Sequence, residues 1–180
     1  MNLFLHVCCG PCTIFPLSVL REKGTQVTGY FFNPNIHPYK EFERRLLTLQ
    51  SYADDVQLPL IVEKQYGLSD FVRKIAFHEE ERCNICYLMR LEKTAAMAKE
   101  RGFDAFSTTL LYSKYQRHSQ LIKFCEQLSS QYQVPFYYHD FRDGWQLGIK
   151  KSKELDMYRQ PYCGCIYSEQ ERFDKSLRKK

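Results

Sequence analysis

Short apolar runs alternate with longer amphipathic segments along most of the chain. The short runs are rich in β-branched and aromatic residues, a composition typical of strands. Five runs are predicted as strands, at residues 3–7, 27–32, 60–63, 105–108 and 135–138. Strands that alternate with helices form parallel sheets with right-handed crossovers and helices on both faces. The pattern therefore predicts an α/β domain of three layers.

The segments between these runs carry apolar residues at helical spacing. In the clearest of them Leu88, Leu91, Ala95 and Ala98 share one face, and Gly102 stands where a C-terminal cap belongs. Other helices are predicted from 11 to 24, around 42–49, and over 71–75 and 119–131. The part after residue 140 is predicted to be helical with one break. We expect a Rossmann-like parallel sheet with a helical C-terminal segment.

The chain has 180 residues, the length of one ordinary domain, so a single domain over 1–180 is expected. No stretch approaches the roughly 18 uninterrupted apolar residues of a membrane span, which predicts a soluble, cytoplasmic protein without a membrane partner. The net charge of +5 favours polyanions mildly, although a solvated basic tail explains it equally well. Much of the excess lies in Arg172, Lys175, Arg178, Lys179 and Lys180.

Seven of the eight cysteines fall into three clusters. The clusters are Cys8, Cys9 and Cys12; Cys83 and Cys86; and Cys163 and Cys165. Nothing signals secretion, and a reducing cytosol disfavours disulfides, so metal ligation is the better interpretation. The eighth, Cys125, lies in a predicted helix without a neighbouring ligand and is interpreted as a small buried hydrophobic residue.

The spacing of the paired cysteines suits metal binding. Cys83 and Cys86 are three residues apart at the start of a predicted helix, whose free N–H groups favour ionised thiols. Cys9 and Cys12 repeat this spacing, and Gly164, between the last two cysteines, permits close backbone approach. Seven thiols exceed the four that one structural zinc takes. Thiolates bind zinc and iron–sulfur clusters alike, so the ligands by themselves leave both open.

The predicted fold also indicates where the site lies. In open parallel sheets, ligands bind beyond the carboxyl ends of the strands. The first cysteine cluster follows the first strand, and the loops after Phe32, Thr108 and Tyr138 are expected at the same edge. His6, at the end of an apolar run, is interpreted as a hydrogen-bonded core residue.

Several motifs together resemble one family. They are His6-Val7-Cys8-Cys9-Gly10-Pro11-Cys12, Phe32-Asn33-Pro34-Asn35-Ile36, Cys83 to Cys86 with Tyr87 and Arg90-Leu91, Ser107-Thr108-Thr109-Leu110, Ser113 with Tyr115-Gln116, Asp140-Phe141-Arg142, and Tyr158-Arg159-Gln160-Pro161-Tyr162-Cys163-Gly164-Cys165. In these motifs the sequence resembles the epoxyqueuosine reductase family QueH. The resemblance extends from residue 3 to about residue 168. No cysteine position departs from the family pattern.

The resemblance implies the last step of queuosine formation, the reductive deoxygenation of epoxyqueuosine at the wobble position of tRNAs with a GUN anticodon. It also implies a [4Fe-4S] cluster beside a mononuclear iron, a fold related to the PP-loop and HUP proteins, and an electron donor that the sequence does not identify. All seven clustered cysteines are predicted to be metal ligands, and Asp140 is predicted to be a further iron ligand.

Candidate residues for the remaining chemistry lie in segments predicted near this site. Tyr162, Tyr158 or Asp140 would deliver a proton, the alternative for both tyrosines being that they only pack or hydrogen-bond. The substrate would be bound by Arg142, Arg159, Tyr115 and Gln116, near Lys114, Arg117 and Tyr112. Cations on phosphate and aromatic rings on unpaired bases are typical of RNA-loop recognition. Surface charge without a partner is the alternative for the cations.

Two rival functions remain at this point. One is a zinc-stabilised RNA-binding module without catalysis. The other is a PP-loop tRNA thiolase, but cysteines and Pro11 occupy the place of the glycine- and serine-rich phosphate loop that such enzymes carry after the first strand.

Overall fold

A parallel four-stranded sheet forms the centre of the protein in the computed structural model, which describes residues 1–177. The strands are β1 (Asn2–His6), β2 (Gln26–Phe31), β3 (Leu60–Val62) and β4 (Ala105–Thr108), in the order β3-β2-β1-β4. Their parallel registers confirm the expected architecture. Leu3, Phe4 and Leu5 are fully buried because β1 lies in the middle of the sheet.

Helices cover both faces of this sheet. The α-helices are α1 (Gly10–Glu22), α2 (Tyr39–Asp55), α3 (Leu68–Ile75), α4 (Arg82–Glu100), α5 (His118–Tyr132), α6 (Trp145–Glu154) and α7 (Ile166–Phe173). Short 3₁₀ turns occupy Glu79–Glu81, Thr109–Tyr112, Phe141–Gly144 and Lys175–Leu177. Helix α1 packs on β2, α2 and α6, whereas α4 packs on β1, β4 and α5, which gives three layers. Gly102 ends α4 with a φ of +69°, as a C-terminal glycine cap does.

Three sequence predictions are wrong in detail. Residues 135–138 form no strand but a single parallel bridge from Phe136 to Phe106, because β4 turns into a 3₁₀ turn directly after Thr108 and leaves little edge to pair with. Leu88 is 36% exposed, and Tyr87 takes its place on the buried face of α4. The break in the C-terminal helices is also broader than expected, since it extends over residues 155–165.

The carboxyl edge of the sheet is tied together by polar side chains. His6 is fully buried, with Nδ1 2.9 Å from the Thr108 hydroxyl and Nε2 3.3 Å from the Phe32 carbonyl oxygen. Asn33 donates to the carbonyl oxygen of Val7. The loops after β1, β2 and β4 therefore meet at one edge, as predicted, and His6 is a hydrogen-bonded core residue. Its burial lowers its pKa to about 4, which keeps it neutral.

No helix among residues 1–177 combines the length and the apolarity that crossing a bilayer requires. Of the basic tail, Arg178, Lys179 and Lys180 lie outside the described residues. The assignment of the whole chain to one domain stays a prediction.

Candidate metal centre

The first cysteine cluster forms a compact triad at the junction of β1 and α1. The sulfur atoms of Cys8, Cys9 and Cys12 lie within 4.8 Å of one another, and those of Cys8 and Cys9 are 3.9 Å apart. Cys9 is the N-cap residue of α1 in an extended conformation, while Cys12 lies in the first helical turn together with Gly10 and Pro11. Among the described residues, no other three histidine, cysteine or acidic side chains bring their ligand atoms so close together.

The pKa values of the three thiols in the triad are shifted in different directions. Thiol hydrogen bonds from Cys12 and Cys9 hold the pKa of Cys8 well below its usual value. Burial raises the pKa of Cys9, and the hydrogen bond with Cys8 raises that of Cys12. These shifts favour ionisation of Cys8 over that of Cys9 and Cys12, and metal binding must release the thiol protons.

The other four clustered cysteines form a second set, joined from two distant parts of the chain. Cys83 and Cys86 are the second and fifth residues of α4, and Cys163 and Cys165 come from the loop before α7. Cys86 and Cys165 share one buried apolar cluster with Phe71. We call these residues the four-cysteine set; the spacing of its two pairs in the sequence gave no sign that they would combine.

Burial opposes the ionisation that the start of α4 is predicted to favour in this set. Burial raises the pKa of Cys86 to about 12, and the neighbouring Cys163, Cys165 and Cys83 sulfurs oppose its ionisation further. Burial also raises the pKa of Cys83. Desolvation thus outweighs the helix terminus, and a cation is needed to hold these sulfurs as thiolates.

A cavity of about 630 Å³ opens onto both sets. Cys8 and Cys12 line it from the triad, and Cys163 lines it from the four-cysteine set. Its remaining wall includes Arg90, Tyr112, Tyr115, Gln116, Trp145, Arg159, Gln160, Tyr162 and Arg172. The cavity can therefore present one substrate group to both sets of sulfur atoms.

A buried ion pair on α2 holds the C-terminal cysteine loop in place. Arg45 Nε donates to Glu41 Oε1 at 2.6 Å, and both side chains are at most 9% exposed. The same guanidinium donates to the carbonyl oxygens of Cys163 (2.7 Å) and Tyr162 (3.0 Å). Gly164 fits below it, since a Cβ there would meet Asn35 Nδ2 at 3.0 Å. Sequence reasoning missed this pair, for which the i,i+4 spacing of Glu41 and Arg45 was the available signal.

The two candidate tyrosines make structural hydrogen bonds. Tyr162 lines the cavity but donates its hydroxyl to the His37 carbonyl oxygen. Tyr158 donates to Glu41 and does not line the cavity. Burial raises the pKa of each tyrosine to about 12. These contacts favour the packing alternative over a role in proton delivery.

Asp140 lies outside the residues that line the cavity. Its carboxylate accepts the Arg142 guanidinium, with Nε 2.8 Å from Oδ1, and His118 is 4.0 Å away. The Arg142 hydrogen bonds hold the pKa of Asp140 at about 2. The structure therefore brings neither Asp140 nor Arg142 to the cysteines, and their predicted roles remain predictions without support from this geometry.

Of the predicted substrate residues, Arg159, Tyr115 and Gln116 line the cavity. Tyr115 is 83% exposed and meets the edge of Trp145, and Gln116 donates to Cys163 Sγ at 3.4 Å. Tyr112 also lines it, whereas Lys114 and Arg117 do not. Cys125 is fully buried in α5, as predicted.

Three further lining residues were missed. Gln160 donates to Cys9 Sγ at 3.0 Å, Arg90 donates to Cys86 Sγ at 3.0 Å, and Trp145 forms the aromatic wall with Tyr112. The position of Arg90, four residues after Cys86, was the available signal for that contact. No pattern in the sequence indicated the contact of Gln160, because it depends on how the C-terminal loop folds back.

Comparison with known proteins agrees with the resemblance. The family model described as "Epoxyqueuosine reductase QueH" matches residues 3–171. An epoxyqueuosine reductase QueH from Dehalococcoides mccartyi is 38% identical over 97% of this chain and 96% of its own length. The protein of that name from Thermotoga maritima is 33% identical over 97% and 93%.

The chain belongs to the epoxyqueuosine reductase QueH family. It is therefore an oxidoreductase of queuosine biosynthesis.

Two solved structures share the fold. A U34-tRNA thiolase NcsA from Methanococcus maripaludis, with its [4Fe-4S] cluster, has a TM-score of 0.60 over 97% of this chain and 64% of its own, at 11% identity. A predicted tRNA methyltransferase subunit from Methanocaldococcus jannaschii has a TM-score of 0.59 over 86% and 75%, at 12% identity. At such identities the likeness establishes the shared α/β fold only.

The donor sets suit the metals that the family implies. Sulfur ligands select iron–sulfur clusters and thiophilic ions. The triad is positioned to bind a metal. The burial of Cys9, Cys12, Cys86 and Cys165 also has a physical reason if they are ligands, since bound metal keeps thiolates ionised where burial alone would protonate them.

Proposed function

We propose that the protein reduces epoxyqueuosine in tRNA to queuosine, with a mononuclear iron on the triad and a [4Fe-4S] cluster on the four-cysteine set. The observation that carries this division is the compactness of the triad. Thiolate–metal bonds of about 2.3 Å in a tetrahedron place sulfur atoms about 3.8 Å apart. Cys8 and Cys9 are 3.9 Å apart, which suits one ion. Cys83, Cys86, Cys163 and Cys165 supply the four thiolates that a cluster takes.

Three protein ligands leave a fourth position open, as metal sites that act on substrates do. Cys8 and Cys12 line the cavity, so a metal held by the triad would border the space where a substrate would lie. Conversion of the epoxide to an alkene consumes two electrons and two protons and releases the oxygen as water. When bound, a cluster supplies single electrons, and an iron with an open position acts as a Lewis acid. The electrons come from an external donor, which we leave unassigned.

The chain's own residues bind and orient the RNA in this proposal. Trp145 and Tyr115 offer aromatic faces at the cavity, where unpaired bases of an anticodon loop with the sequence GUN would stack. Arg159 lines the same wall and supplies a cation for phosphate. Gln160 and Gln116 donate hydrogen bonds to cysteine sulfurs and so hold the ligand side chains in position.

The test is anaerobic purification with iron and sulfide analysis of two variants. We expect about five irons and four sulfides per chain in the wild type. Cys12→Ser should lose about one iron and keep its sulfide, whereas Cys86→Ser should lose the sulfide and the visible absorption band. Cys125→Ala, which alters the cysteine outside both sets, is the matched control and should keep the full metal content.

Turnover is assayed on epoxyqueuosine-containing tRNA with dithionite as reductant, and we expect both ligand variants to be inactive. Loss of sulfide from Cys12→Ser, together with a retained cluster in Cys86→Ser, would place the cluster on the triad and contradict the proposed assignment of metals to the two sets. A colourless protein that holds only zinc after anaerobic reconstitution would overturn the reductase proposal in favour of an RNA-binding module.

A further inference from the structure

Arg90 is a fully enclosed cation whose charge no carboxylate balances. It lies in α4, is 2% exposed, and has no acidic oxygen within 4.0 Å among the residues that the structure describes. An isolated charge away from water is costly and is retained only with a partner. Arg90 therefore needs a negatively charged partner other than a carboxylate.

The contacts of Arg90 point to sulfur. Its Nε donates to the carbonyl oxygen of Cys86, and its Nη2 donates to Cys86 Sγ at 3.0 Å. The guanidinium also lines the cavity together with Cys8, Cys12 and Cys163. Arg90 therefore touches one ligand of the four-cysteine set and faces the cavity that both sets share.

The electrostatics agree with this placement. Cys86, Cys163 and Cys8 interact electrostatically with the Arg90 guanidinium. Cys86 and Cys163 belong to the four-cysteine set, and Cys8 belongs to the triad. As metal-bound thiolates, these residues would supply the negative charge that no carboxylate supplies.

We propose that Arg90 is a positioning residue that serves as the shared counter-ion of the triad and the four-cysteine set, and that it makes the metal centre easier to reduce. The inference rests on the proposed function, because it requires thiolates with bound metal. Each added electron increases the negative charge beside the guanidinium. A fixed cation in a low-dielectric site stabilises that reduced form more than the oxidised one.

The test compares the reduction potential of loaded variants. Arg90→Gln removes the charge and keeps a hydrogen-bond donor, while Arg90→Lys keeps the charge and loses the planar fork. Arg101→Gln is the matched control. It removes an arginine just beyond the other end of α4, about 16 Å along the helix at 1.5 Å per residue.

Each protein is titrated anaerobically with dithionite and mediator dyes, and the visible band and the electron paramagnetic resonance signal are followed. We expect the midpoint potential of Arg90→Gln to fall below that of the wild type. Arg90→Lys should lie between them, and Arg101→Gln should equal the wild type. Iron, sulfide and far-ultraviolet circular dichroism are measured on the same samples.

The outcomes separate this inference from the function on which it rests. A wild type without iron and sulfide would overturn the proposed function itself. A loaded Arg90→Gln with the wild-type potential would overturn the role of Arg90 alone. If Arg90→Gln folds without a cluster while Arg90→Lys loads one, the need for the charge is supported. If neither variant loads, charge is not the requirement and the proposal fails.

Discussion

Neutralising Glu41 tests whether the buried ion pair on α2 holds the C-terminal cysteine loop. In Glu41→Gln the shape of the side chain is kept, but the Arg45 guanidinium loses its anionic partner at 2.6 Å. Removing one member of a buried pair costs about 3–5 kcal/mol, because the other charge stays buried. The amide oxygen can still accept a hydrogen bond, so we expect about 3 kcal/mol, or roughly a 150-fold change in the unfolding equilibrium.

The assay is urea denaturation of the metal-free protein under anaerobic, reducing conditions, followed by circular dichroism. Glu43→Gln is the matched control, since Glu43 lies on the same helix but pairs with Lys40 at the exposed surface. Exposed pairs contribute about 0–1 kcal/mol, so that variant should resemble the wild type.

A second readout connects the ion pair to the metal centre. Arg45 donates to the carbonyl oxygens of Cys163 and Tyr162, so loosening it should lower the sulfide content after reconstitution. An unfolding free energy for Glu41→Gln within 1 kcal/mol of the wild type would refute the electrostatic reasoning. A normal sulfide content in a clearly destabilised variant would refute only the link to the cysteine loop.

Three other predictions follow from single contacts. Tyr162→Phe should keep kcat within about tenfold of the wild type, because the Tyr162 hydroxyl is bound to a carbonyl oxygen; a loss of about 10²–10⁴-fold would instead indicate general acid catalysis. Tyr115→Ala should weaken binding of an anticodon stem-loop RNA by about 5- to 150-fold if one base stacks there. Binding is measured by the fluorescence of Trp145, the single tryptophan. Tyr39 is another exposed tyrosine, and Tyr39→Ala should bind the RNA as the wild type does. Burial lowers the pKa of His37 to about 4, so the unfolded chain takes up a proton as the pH falls below about 6.5 while the folded chain does not. His37 should therefore account for about 2 kcal/mol of the stability that the metal-free wild type loses between about pH 7.5 and 5, in addition to the loss from His6, and His37→Gln should lose that much less; equal losses would show that His37 is not held neutral.

Much of the fold could be predicted because its signals are local. The strand at residues 105–108 is an apolar run whose bounds in the structure match the prediction. Gly102 ends α4 because glycine adopts a positive φ readily. The strand predicted at residues 135–138 failed for the opposite reason, since its pairing depended on how far β4 extended beside it. Leu88 failed because two faces of a helix can satisfy the same apolar spacing, and only packing selects one.

The sequence by itself determined the α/β class, the sulfur-rich chemistry and the family, because these rest on residue types and on spacing within single segments. Only the tertiary structure decided how seven cysteines divide into a triad and a four-cysteine set. That division depends on the meeting of the start of α4 with a loop about eighty residues later. The structure also revealed that Arg90 is a buried cation without a carboxylate partner among residues 1–177, and that Asp140 does not line the cavity. Burial and long-range contact are properties of the packed chain, and no spacing within a segment encodes them.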